Sequence, residues 1–341
     1  MIKRSLLFLL LFGCLAQFFL WFTRPPTETL LRVGHFPNIT HAQALIGRDQ
    51  SIFERHLGAK IDWKTFNAGP SEMEALLAGQ IDLAYVGPNP AVNAFMRSKG
   101  TSLKIIAGGA DGGAALVVHA DADISGPEDL RGKKVAAPEL GNTQDVAMRH
   151  WLKLNNLTAG QDVQVVSAKN PDIFLFFHRR EIAAAWVPEP WLTRLLLEAK
   201  GKILLDERTL WPDESFPTAI LVARSGFLAT HRDTVKKFLK GHLEAGEVFQ
   251  RSPAVAKAAI NRQLTAVLSK PIPEPTLEAA FSRVRVTHDP LSSQILTAAA
   301  QAGELGYLPS ESVFPLSRLP EIFDLSPLNE LLVEQQKPIV Q

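Results

Sequence analysis

Asn142-Thr143-Gln144 is the part of this sequence best equipped to hold a small molecule. It follows an apolar run, Val135–Ala137, and a turn, Pro138–Gly141, and it opens a helical pattern reaching Trp151. Asn142 suits the N-cap position, while Gln144 and Asp145 suit a first helical turn. Backbone N–H groups at a helix start lack intrahelical acceptors and carry partial positive charge. Such a turn can hold a small anion without any catalytic side chain. Capping alone would also explain Asn142, so both roles stand at this point. The same strand–turn–helix unit recurs at Phe36, Asn38, Thr40 and His41, at Gly69-Pro70-Ser71 and at Gly87-Pro88-Asn89. Gly141 closes the turn before the opening stretch.

Other residues could change what such a site accepts. Ser71 is followed by Glu72 and Glu74, whose charges would repel an approaching anion. Trp186 and Trp191 flank Pro188-Glu189-Pro190. Trp186 is either core packing or a cleft wall, and Glu189 either stabilises the next helix start or attracts an amine. Asp111, within GGADGG, is a turn residue or a cleft carboxylate. His35 and His41 lie around the first turn and are structural, exposed or ligand contacts. No HExxH or paired-ligand spacing supports a metal, and no GxSxG elbow supports a serine nucleophile. Gly126–Lys134 has the wrong glycine spacing for a phosphate loop and lacks its Ser/Thr. No catalytic residue is assigned.

Elements that would position these residues alternate along the chain. Strands are expected at Leu31–Phe36, Ile61–Phe66, Ile81–Val86, Leu103–Ala107 and Ala114–His119, then at Val135–Ala137, Val163–Ser167, Ala183–Val187, Ile203–Leu205 and Thr218–Ala223. Thr40, Ser71, Asn89 and Asn170 read as helix caps, the first on a helix running to about Leu57. From Thr230 the pattern is helical apart from a break at Pro271–Pro275, and the last amphipathic piece is Ser326–Glu334. Alternating strands and helices predict α/β architecture with parallel sheets. Ligands in open α/β sheets bind beyond the carboxyl ends of strands, where these turns fall. The apolar segments near Ala115–Val118 and Ala219–Val222 could carry the chain between two lobes, 30–115 with 220–341 and 116–219.

The net charge of +1 gives no electrostatic case for nucleic acid. The single cysteine is Cys14, inside an apolar run from Leu6 to Phe22 preceded by Lys3 and Arg4. Residues 1–29 therefore read as a signal peptide or membrane anchor plus a proline-bearing tether, TRPPTET. An uncleaved anchor, lipidation at Cys14 and a cleaved signal all place the body in the periplasm or on the outer face of the cytoplasmic membrane.

The segments GHFPNITHAQA, NAGPSEMEALLAGQIDLAYVGPNPA, DLRGKKVAAPELGNTQDVAMR, AAAWVPEPW and FDLSPLNELL occur in this order. Together they resemble the periplasmic substrate-binding proteins of the nitrate/sulfonate/taurine ABC-transporter family. That superfamily also includes thiamine-pyrimidine-precursor binders and synthases. The resemblance implies a type II two-lobed periplasmic-binding-protein fold with two hinge crossovers, acting as a monomer without cofactor or metal. It implies an anionic small-molecule ligand, an aliphatic sulfonate or taurine, handed to a permease driven by a separate ATPase. Nitrate or a pyrimidine precursor are the alternative ligands. An iron-using precursor synthase and a tethered sensory domain are the alternative classes. The family holds its anion at such turns, and the candidate contacts here are Phe36, Asn38, Thr40, His41, Gly69–Ser71, Gly87–Asn89, Asp111, Gly141–Gln144, Trp186 and Glu189.

Overall fold

Short apolar runs bounded by glycine, proline and asparagine become buried strands, because both of their faces find apolar cover. The computed structural model describes residues 31–341. Strands β1 (Leu31–His35), β2 (Ile61–Thr65), β3 (Leu83–Val86) and β4 (Leu103–Gly112) enter a first sheet. A second sheet contains β5 (Ala114–His119), β6 (Lys134–Pro138), β7 (Gln164–Ala168), β8 (Ala184–Pro188) and β9 (Gly201–Asp206). The chain then returns to the first sheet through β10 (Pro217–Arg224) and β11 (Val284–Val286). The strand orders are β11-β4-β10-β3-β1-β2 and β7-β6-β8-β5-β9.

The pairs β1–β2, β1–β3, β6–β7 and β6–β8 are parallel, as strand–helix alternation predicts. β10 is antiparallel to β3 and β4, β11 to β4, and β5 to β8 and β9. Both sheets are therefore mixed, which corrects the expectation of parallel sheets. The reason is the route of the chain. β5 and β10 each arrive from the opposite lobe without a crossover helix, so they enter at the cleft edge and run against their neighbours. The same route sets the carboxyl ends of β1, β3, β6 and β8 on that edge.

Three sequence expectations change for physical reasons. GGADGG is not a turn, because β4 continues through it to Gly112. A side chain at Gly108 would overlap the carbonyl of Asp289, and one at Gly109 would lie 2.9 Å from the carbonyl of Ala219. These glycines admit neighbouring backbone. The first helix stops at Asp49 and restarts at Ile52, with Ser51 left-handed between them at φ 51°. The region after Thr230 is not wholly helical either, since β11 pairs with Ala110–Gly112. Three residues are too few to show a strand period.

Apolar clusters cover both faces of each sheet. Phe95, Ile105, Val222 and Phe314 share one side of the first sheet, with Phe53, Tyr85, Phe238 and Leu331 on the other. In the second lobe Trp151 and Trp186 pack on one face and Phe177 and Leu195 on the other. The expected signal or anchor, Cys14 and the tether lie outside the described residues. Among the described residues no helix is long and apolar enough to cross a membrane.

The chain crosses between lobes at Gly113 and again between Glu207 and Phe216. Asp111 ties these crossings together. Phe216 N donates to its Oδ1 at 2.9 Å, while Ser215 Oγ and Arg285 Nε donate to Oδ2 at 3.0 and 2.8 Å. Asp111 is thus a hinge brace and not a carboxylate open to the cleft.

Candidate functional site

Five helix openings converge where the two sheet edges face each other. The first lobe contributes Phe36, Asn38, Thr40 and His41 after β1, Asn67 and Ala68 after β2, Gly87 after β3, and Thr218 on β10. The second contributes Pro138 at the end of β6, Asn142, Thr143 and Gln144 at the next helix, Asn170 after β7, and Pro188 at the end of β8. The cavity they enclose is about 10 Å³, close to one water-sized probe sphere. Any larger ligand enters when the lobes part.

Its lining is polar but almost uncharged. The helix Thr143–Leu154 presents its N-terminal turn, and Asn142, Thr143 and Gln144 are all buried. Asn142 takes the N-cap backbone position without making the cap bond. Its Nδ2 instead donates to Gln144 Oε1 at 2.9 Å. Among the described residues, Thr143 Oγ1 and Asn170 Oδ1 are buried without a partner. An unmet buried polar atom is unfavourable unless a ligand or water meets it. His41 accepts from Phe36 N through Nδ1 at 3.2 Å, and burial holds its pKa well below the ordinary histidine value. It is therefore a neutral imidazole with its proton on Nε2, a donor.

The acids that could repel an anion point elsewhere or lose their charge. Asp145 accepts from Gly141 N at 2.9 Å and from Arg149 Nε at 2.8 Å. Glu139 reaches across to Ser71, within 3.4 Å of its N and 3.3 Å of its Oγ. Ser71 is thus spent on an interlobe contact and sits inside the helix Gly69–Leu77, not at its cap. Glu189 accepts from Thr193 N and Oγ1 at 3.1 and 2.8 Å, with Arg283 at 3.4 Å. Burial raises its carboxyl to about 7 against those lowering influences. Through Arg283 its side chain meets the first lobe, and its backbone carbonyl also reaches that lobe, accepting from Ile39 N at 3.1 Å.

Glu72 is fully buried with both carboxylate oxygens unpartnered among the described residues, and burial raises its pKa well above 4.5. It is held as the neutral acid. The folded state therefore keeps a proton that the unfolded state releases above pH 4.5, so its contribution to stability declines as pH rises. Glu72→Gln should raise stability at pH 7 by on the order of 1–3 kcal/mol, measured by urea unfolding. The gain should shrink toward pH 4.

Other candidates fall outside the cavity. Trp186 is a core residue, donating through Nε1 to Glu207 Oε2 at 2.7 Å and meeting Trp151 at 6.2 Å between ring centroids. Trp191, one turn later, is the tryptophan that bridges the lobes, donating to Asn38 Oδ1 at 3.2 Å. A side chain at Gly69 would overlap Pro90, and Pro70 simply opens the same helix. Gly141 has φ 78° and faces Tyr307. Pro88 and Asn89 line an adjoining chamber, and the helix starts at Pro88 with Gly87 as its cap, two positions before the expected Asn89. Asn67, Ala68, Pro138, Asn170, Pro188 and Thr218 are not among the contacts expected from sequence; Asn170, expected as a cap, is instead the first residue of its helix. Their shared signal is position, at strand ends or helix starts on the cleft edge. Among the described residues, no three His, Cys, Asp or Glu converge as a metal set would require.

Two sheet-based lobes closing over a cleft, joined by paired crossings, define the periplasmic-binding-protein fold. The chain belongs to the NMT1-like family, whose model matches residues 24–264. It is 29% identical over 215 residues to the taurine-binding periplasmic protein of Escherichia coli (strain K12), a match spanning 62% of this chain and 64% of that protein. The fold is similar to the alkanesulfonate-binding protein SsuA from Xanthomonas axonopodis pv. citri, solved bound to MOPS. There the TM-score is 0.71 at 19% identity, covering 86% of this chain and 99% of the other. It is also similar to the periplasmic nitrate-binding protein NrtA from Synechocystis PCC 6803, with a TM-score of 0.77 at 15% identity over 92% and 91% of the two chains.

Proposed function

We propose that this chain is the extracytoplasmic solute-binding component of an ABC importer, taking an aliphatic sulfonate or taurine between its lobes. The observation that carries this reading is the unpartnered Thr143 hydroxyl at a helix N-terminus, inside a cavity of amide and hydroxyl side chains. A sulfonate needs several donors in a dry setting and no full positive charge if helix N–H groups supply the partial charges. The names of the similar proteins support the same ligand class. The ligand is bound and released unchanged, and a permease with its ATPase accepts it from the parted lobes. In this reading the lobes divide near residues 115 and 220, and the N-terminal segment delivers the body across the membrane.

Thermal-shift and calorimetric titration with taurine, ethanesulfonate and nitrate tests it directly. A ligand at about a hundred times its Kd stabilises the folded state by about 2.7 kcal/mol. Thr143→Ala should weaken sulfonate binding by roughly tenfold or more, since hydrogen bonds to charged groups contribute about 1.5–3 kcal/mol. If all three anions fail to stabilise the protein, the reading is wrong. Nitrate alone would replace the sulfonate by an inorganic anion.

A further inference from the structure

The turn ahead of Thr143 is pressed from outside the ligand cavity by a residue of the first lobe, Tyr307. Tyr307 follows the helix Ser292–Glu304, whose Ile295 and Ala299 are buried in the first-lobe core. Asn93 Nδ2 donates to the Tyr307 carbonyl, which ties its backbone to the same lobe. The ring reaches the second lobe. A side chain added at Gly141 would meet Tyr307 Cδ1 at 3.6 Å, so the ring edge lies against the turn. The Arg149 guanidinium stands 5.9 Å from the ring centroid, within cation–π range. Arg149 Nε and Gly141 N share one acceptor, Asp145, whose side chain is fully buried. Glu304 adds a second tie between the lobes, with Lys153 Nζ at 3.3 Å and His150 Nε2 at 3.8 Å. Tyr307 does not line the ligand cavity, but shares an outer groove with Arg149, Lys153 and Leu305.

Building on the solute-binding reading above, we infer that Tyr307 is a positioning residue through which closure of the lobes fixes the Gly141–Thr143 turn. Gly141 has φ 78°, a conformation that glycine enters and leaves with little strain. With the lobes apart, the ring no longer bears on that glycine, and the turn samples more than one shape. When the lobes meet, the ring leaves it one, with the Thr143 hydroxyl and the helix N–H groups set for the ligand. Part of the ordering cost of binding is then carried by contacts between the lobes and not by the ligand's own bonds. Such a clamp forms after the ligand has entered, so it sets how long the ligand stays and not how fast it arrives. Burial, and then the Asp145 charge, hold the Tyr307 hydroxyl above the ordinary tyrosine range, so the ring stays neutral over the turn.

Stopped-flow titration of wild type, Tyr307→Phe and Tyr307→Ala with taurine, ethanesulfonate and nitrate tests the clamp. For whichever anion the wild type binds, Tyr307→Ala is expected to raise the dissociation rate by about tenfold or more. Its association rate should stay within about threefold, and Tyr307→Phe, which keeps the ring, should restore most of the residence time. A second readout needs no variant. The chain has two tyrosines, and Tyr85 is completely buried. Nitration by tetranitromethane therefore reports on Tyr307, and a saturating concentration of the same anion should slow it several-fold as the ring closes on the turn. Unchanged dissociation in a folded Tyr307→Ala, or an equal loss in Tyr307→Phe, overturns the assignment. So does nitration that ignores the anion, and this arm carries the test should Tyr307→Ala fail to fold. A wild type that binds none of the three anions takes down the solute reading, and this inference falls with it.

Discussion

Gly87→Val should abolish binding of every ligand the wild-type protein takes, with an expected loss in affinity of about a hundredfold or more, while both lobes stay folded. Gly87 has φ −69° and ψ 152°, a conformation open to any residue. Nothing in the first lobe's own backbone requires glycine there. The requirement comes from the second lobe. A Cβ at Gly87 would overlap Thr143 Oγ1 and lie 3.2 Å from Thr143 Cβ, with the Thr218 carbonyl at 3.7 Å. Two branched methyls in that space would hold the lobes apart, exposing the helix N-terminus to water and removing the dry setting on which its donors depend. The melting temperature without ligand should move by only a few degrees, since the clash is relieved by opening and not by unfolding. Ligand-dependent compaction in small-angle scattering is expected in wild type and should vanish in the variant. Compaction and affinity that both survive would show that closure does not pass through this contact.

Stability should form a plateau between about pH 4.5 and 6.5 and fall on either side, because two sets of buried groups pull against each other. Burial lowers the pKa of His35 to about 4 and of His242 to about 3, and holds His41 well below 6.5. Their unfolded counterparts take protons first, so their stabilisation is complete above about 6.5 and is lost as pH falls. Burial raises Glu189 to about 7, Glu207 to about 8 and Glu72 well above 4.5. Their stabilisation is complete below about 4.5 and is lost as pH rises through those values. Across the middle window these histidines add stability as pH rises while these glutamates remove it, so the two sets oppose each other. Below it the glutamates no longer compensate, and His242 alone accounts for about 2 kcal/mol by pH 3. Above it Glu207 alone accounts for about 2 kcal/mol by pH 8. Urea unfolding from pH 3.5 to 9 measures the profile. A monotonic rise from pH 4.5 to 8 would mean that the buried glutamates are charged in the folded protein.

Much of this architecture is legible before any coordinates. The final helix, Ser326–Glu334, is where its amphipathic pattern places it, and most strand ends fall within two residues of the apolar runs. The turns that open helices lead to Asn142, Thr143, Gln144, Gly87 and Asn38, all of which line the cavity. What stays hidden depends on partners far away in sequence. Asn142 looks like a cap until Gln144 takes its amide, and Ser71 looks like a cap until Glu139 arrives from the other lobe. Gly108 and Gly109 read as turn formers because their real neighbours, Asp289 and Ala219, are more than a hundred residues away. Glu207 carries no local signal at all. It sits at the end of β9 among ordinary charged residues, and only the packing of Trp186, Trp211 and Phe216 makes it different.

The brace at Asp111 also bears on how a bound cargo could be announced to the membrane. Because Phe216, Ser215 and Arg285 all fasten to one carboxylate, displacement of one crossing is coupled to the other. Such coupling favours motion of the lobes along one closing angle. Under the proposed importer role, a docking partner touching both lobes at two well-separated points would sense how far they are closed without reaching into the cleft. Loosening the fastening, as in Asp111→Asn, would add a sideways wobble, so that the same pair of contact points reported occupancy less faithfully.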